Sequence, residues 1–121
     1  MSKLAGQVTA AASDNADLAF FLIGTNDTVD DDTFRAEYQA QVSNFMASNV
    51  AATVYLIGIL PRVGNEVRRV TQNELIATVA ANLGVTYINT DSWDVEKSDG
   101  LHPTTAGQID LADRLWALLT A

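Results

Sequence analysis

Near the start of the chain an apolar run ends in Gly24, Thr25, Asn26 and Asp27, and near its end stand Ser98, Asp99, Gly100, Leu101, His102 and Pro103. Asp99 and His102, the chain's one histidine, are three residues apart. At that spacing a carboxylate in a turn can hold the imidazole Nδ1–H while Nε2 faces a substrate, the arrangement of a general base. Asn26 carries a side-chain NH2 that can donate to a developing oxyanion. Each stretch also has a plainer reading. A Gly-Thr-Asn-Asp sequence suits an ordinary turn, and Asp-x-x-His-Pro suits a surface turn at the start of a helix.

The elements that must carry these residues are legible from hydrophobic periodicity. "ADLAFFLIG" at 16–24 reads as a strand covered on both faces, the most apolar of the chain and expected at a sheet centre. Asp32 or Thr33 can cap a helix from about residue 33 to 48, with Phe34, Tyr38, Val42, Phe45 and Met46 on one face. "ATVYLIGIL" at 52–60 is a second buried strand stopped by Pro61. A polar loop with Arg62, Gly64, Asn65, Arg68 and Arg69 then leads to a helix near 71–83, ended by Gly84. "VTYIN" at 85–89 is a third strand, and a helix near 104–119 turns Ile109, Ala112, Leu115, Trp116 and Leu119 inward. Residues 3–12 suggest a further short helix or the end of one. Strands alternating with helices predict a three-layer α/β/α sandwich on a parallel sheet. In such sheets ligands bind beyond the carboxyl ends of the strands, where both stretches fall.

Composition narrows the partners. The 121 residues, 48% of them hydrophobic, make one domain with a real core, and the net charge of −8 argues against nucleic acid. The apolar runs are too short to span a bilayer, so no membrane partner is expected, and residues 1–13 do not read as a signal peptide. Cysteine is absent, which leaves the redox compartment open. Asp27, Asp30, Asp31 and Asp32 cluster, yet without an EF-hand pattern, and acids at a helix start have their own reason to be there. No metal or other cofactor is expected.

Taken together, the two stretches resemble blocks of the SGNH hydrolases, also called GDSL-type esterases and lipases. Gly24, Thr25, Asn26 and Asp27 match a Gly-x-Asn-Asp block after a buried strand. Asp99, Gly100, Leu101, His102 and Pro103 match Asp-x-x-His followed by Pro, and "HPTTAGQIDLADRL" is similar to the family's closing helix. The resemblance implies a flavodoxin-like fold, here truncated to about three strands. It assigns His102 as general base, Asp99 as the residue orienting it, Asn26 as oxyanion donor and Asp27 as a loop organiser. It further implies a serine esterase acting on a small acyl ester, short-chain or carbohydrate acetyl esters included. Trp93, Leu101 and Val63 could line an acyl pocket or simply pack.

One block is missing. The family's nucleophile stands in a Gly-Asp-Ser sequence, which has no counterpart here, and Gly6 is a poor match for the glycine of the second block. The chain is therefore expected to be a single domain, 1–121, lacking the N-terminal nucleophile segment of on the order of 60 residues. Ser13, Ser43 and Ser48 are expected at the surface, while Ser92 and Ser98 lie too near His102 along the chain to turn toward it. Ser2 is the remaining nucleophile candidate. Without an earlier strand, residues 18–23 expose an unpaired edge, which predicts a homodimer or a complementing N-terminal fragment. The alternative function is a catalytically inactive module that binds or pairs with another chain.

Overall fold

The computed structural model describes residues 17–22, 30–62, 64–98 and 103–120. Its elements alternate: β1 (Leu18–Phe21), α1 (Asp31–Ser48), β2 (Thr53–Ile57), α2 (Glu66–Leu83), β3 (Thr86–Ile88) and α3 (Thr105–Leu119). The three strands form one parallel sheet in the order β1-β2-β3, with Phe21 level with Leu56 and Leu56 level with Tyr87. The expected α/β sandwich is present. No described helix is long and apolar enough to cross a membrane.

Each strand's alternation sends neighbouring side chains to opposite faces. On one face, Phe21, Val54 and Leu56 meet Phe34, Tyr38, Val42 and Phe45 of α1 and Ile76, Val79 and Ala80 of α2, all buried. Consecutive right-handed crossovers put both helices on this side. On the other face Ile57, Ile88 and Trp93 are buried beneath Leu111 and Leu115 of α3. This layer is thinner.

Four expectations change. Among the described residues β1 lies at an edge of the sheet and β2 at its centre. Among the described residues β1 is also covered on one face only, since Leu18, Phe20 and Leu22 are 43%, 37% and 38% exposed. An apolar run reports that side chains avoid water, not which neighbours will cover them. α1 begins before Asp32, because Asp30 is its cap, accepting from Thr33 N at 2.9 Å and from Thr33 Oγ1 at 2.7 Å. α2 begins at Glu66, which moves Arg68 and Arg69 from the expected loop into a helix. Asn65 offers that helix no side-chain cap and instead holds Leu60 O at 3.2 Å and Arg62 N at 3.1 Å.

The face of α3 differs as well. Leu111 and Leu115 pack on the sheet, whereas Ile109 and Trp116 are 58% and 67% exposed and Ala112 is exposed. Gly107 sets this rotation. A Cβ there would overlap the carbonyl oxygen of Glu96, so only glycine lets the helix seat so closely on the preceding segment. At the far end of α2, Gly84 takes a left-handed φ of 70° and its N–H returns to Ala80 and Ala81 carbonyls, as expected of a helix stop. Residues 3–12 lie outside the described part.

Candidate active site

The strands end together at one edge of the sheet. β1 passes through Leu22 into residues 23–29, β2 runs into Gly58, and β3 into Asn89, with Gly58 N donating to Ile88 O at 3.0 Å. Gly24, Thr25, Asn26 and Asp27 belong to the segment that leaves β1 at this edge. They, Asp99, Leu101, His102, Val63 and Ser2 lie outside the described residues, so the structure reports the frame around them.

That frame is tightest around residues 99–102. Lys97 and Pro103 form an isolated antiparallel bridge, and Thr104 N donates to Glu96 O at 3.0 Å. Thr104 then caps α3, its Oγ1 accepting from Gly107 N at 3.1 Å. The two ends of the Asp99–His102 sequence are thus held side by side at the head of a helix. Lys97 Nζ donates to Val95 O at 2.8 Å, and Val95 itself is buried, which ties the incoming strand of this stem to the core.

The connection after β2 is braced by side chains that the sequence does not single out. Asn73, buried on α2, accepts from Ile59 N at 2.7 Å and donates to Ile59 O at 3.3 Å. Thr90, fully buried after β3, donates its hydroxyl to the same Ile59 O at 3.2 Å. One backbone residue is therefore gripped from a helix and from the neighbouring strand end. Gly58 allows this, because a Cβ there would lie 2.8 Å from both Thr90 Oγ1 and the Tyr87 hydroxyl. A signal existed in the sequence: Gln72 and Asn73 share the helical face of Ile76, Val79 and Ala80, so they had to be buried polar groups.

Electrostatics at this edge are modest. Arg69 Nη1 stands 3.9 Å from Asp91 Oδ1, and Arg68 Nη1 stands 3.7 Å from Asp31 Oδ1. Half-burial, followed by the charge of Asp91, pushes the Tyr87 hydroxyl up to about 12, with Arg69 opposing. At α1, Thr33 holds the Asp30 carboxyl below its ordinary value by donating two hydrogen bonds to it. Of the clustered acids, Asp30 is committed to its cap and Asp31 to Arg68. Among the described residues no three His, Cys, Asp or Glu side chains gather as metal ligands would.

The remaining candidates separate clearly. Trp93 is buried against Ile57 and Ile88, with the Arg114 guanidinium 5.8 Å from its ring centroid. It packs. Ser43 and Ser48 are exposed on α1, and Ser92 and Ser98 are exposed in the connection after β3. No curated protein matches the chain. Residues 2–108 match the model of the GDSL-like Lipase/Acylhydrolase family.

Proposed function

The chain belongs to the GDSL-like Lipase/Acylhydrolase family, a family of hydrolases, and on that premise we propose that it carries the base and oxyanion half of a serine esterase site. His102 is the general base, Asp99 orients its imidazole, and Asn26 donates to the oxyanion, with Gly24, Thr25 and Asp27 forming the loop that presents Asn26. In the reaction a serine Oγ bonds to the ester carbonyl carbon and its proton passes to His102 Nε2. Collapse of the tetrahedral intermediate breaks the bond to the alcohol, which leaves with that proton. Water then repeats the attack on the acyl-enzyme, with His102 again taking the proton, and the serine is regenerated as the acid departs. A short acyl ester, including an acetylated sugar, is the substrate class in view.

The observation that carries this reading is the closed stem at Lys97 and Pro103, backed by the Thr104 bond to Glu96, on either side of the Asp99–His102 sequence. It supports a held acid–base pair rather than a free surface turn. The nucleophile is the open component. Gly-Asp-Ser does not occur in the chain, and Ser2 is the serine we propose if the chain acts alone. The second reading is an inactive copy of the fold that serves as a binding or pairing module.

A fluorophosphonate probe separates the two. Intact-mass measurement is expected to find a covalent adduct that disappears in His102→Ala, and peptide mapping then names the serine. An unlabelled protein, or labelling indifferent to His102→Ala, would leave the inactive module as the function.

A further inference from the structure

The stem on either side of Asp99 and His102 converges on one atom, the carbonyl oxygen of Glu96. Thr104 N donates to it at 3.0 Å, and the Thr104 hydroxyl donates to it at 3.5 Å. The same hydroxyl oxygen accepts from Gly107 N at 3.1 Å, so the first turn of α3 hangs on the residue that grips Glu96. Glu96 itself has little room to move. Val95 before it is buried, and Lys97 after it is bridged to Pro103.

Gly107 takes the remaining side of that carbonyl. It is buried in α3, and a Cβ there would overlap Glu96 O while standing 3.1 Å from the carbonyl carbon and 3.3 Å from Glu96 N. The obstacle is backbone, which cannot swing aside as a long side chain can. Helix propensity alone argues for alanine at this place, since glycine weakens a helix interior. The glycine therefore serves the contact with Glu96 rather than the helix. His102 is bonded directly to Pro103, and Asp99 stands two residues after Lys97. The chain that carries both side chains is thus anchored at the residues this contact holds.

We infer that Gly107 is a positioning residue for the Asp99–His102 pair, acting through the Glu96 carbonyl, with Thr104 as the clamp that closes the contact. The inference rests on the proposed reading of Asp99 and His102 as orienting carboxylate and base. A base works only within hydrogen-bond reach of its partners, so a shift of the stem costs the alignment.

His102 is the chain's one histidine, so its imidazole gives a single Cε1–H resonance whose titration NMR follows without any activity. An orienting carboxylate raises the midpoint above the ordinary value of about 6.5. Asp99→Asn is expected to bring it down, which tests the pair itself. Gly107→Ala and Thr104→Val are expected to bring it down as well, while Thr104→Ser retains it. Thr120→Val removes a 2.9 Å hydrogen bond from the Thr120 hydroxyl to Trp116 O at the other end of α3, and is expected to leave the midpoint in place. The last four variants alter no charged side chain, so a shift in them reports the pair. Circular dichroism checks that each is folded. A midpoint that falls in Asp99→Asn but stays in folded Gly107→Ala, or in Thr104→Val where Gly107→Ala does not fold, would overturn the positioning role and leave the pair standing. So would an equal fall in Thr120→Val. A midpoint indifferent to Asp99→Asn would overturn the pair and this inference with it.

Discussion

Asn73 does with one carboxamide what two neighbouring strands would otherwise do, since it satisfies both the N–H and the C=O of Ile59 where neither can reach water. Leaving buried polar groups unmatched costs more than a hydrogen bond gains in net terms. Asn73→Ala is therefore expected to destabilise the fold by about 2–4 kcal/mol, combining two lost partners with a small cavity. Urea unfolding measures it, and a loss no larger than that of an exposed helix substitution such as Glu74→Ala would contradict the role. Tyr38 is the opposite case, a buried side chain whose hydroxyl has no hydrogen-bond partner among the described residues, while burial raises its pKa. At this scale residue type was a good guide to chemistry that projects from turns. It was a poor guide to Thr90, because a polar side chain after a strand reads as surface until its neighbours are known, while for Asn73 the signal lay in its position on the buried helical face rather than in its type.

At the scale of elements, the termini matter most. α1 starts where Asp30 accepts two bonds from Thr33, and these bonds favour the ionised carboxyl, so its folded pKa lies below the ordinary 3.8. A lowered value means that the cap's contribution is complete above 3.8 and fades as pH falls through the folded pKa. Urea midpoints for the protein and Asp30→Ala are expected to differ by a constant amount near neutral pH and to converge in strong acid. A gap that persisted there would assign the effect to something other than the carboxylate. Both helices start earlier than periodicity suggests, α1 at Asp31 with Asp30 rather than Asp32 or Thr33 as its cap, and α2 at Glu66 rather than near residue 71. In both the reason is the same: Asp, Asn and Arg are equally at home in a loop and in a first helical turn, and only the hydrogen bonds decide.

The whole molecule is lopsided. α1 and α2 bury a continuous apolar face against the sheet, while α3 buries Gly107 and half-buries Leu111 and Leu115, leaving Ile109 and Trp116 in water. Local stability follows buried apolar contact. Amide hydrogen exchange is expected to be faster in the second half of α3 than in α1 or in the middle of α2. Equal protection in all three helices would mean that another surface covers α3 in solution.

Much of the protein was legible before any coordinates. Alternation of apolar runs with amphipathic segments determined the α/β class and the parallel connections, because local periodicity encodes secondary structure and right-handed crossovers restrict the topology. Motif spacing gave the family, which the match over residues 2–108 supports independently. Tertiary structure alone decided that α3 faces inward through Leu111 rather than Trp116, and that Lys97 meets Pro103 beside the candidate base. These are relations between residues far apart in the chain. An apolar side chain specifies that it should be covered, and the cover is chosen by whichever element the rest of the fold brings against it.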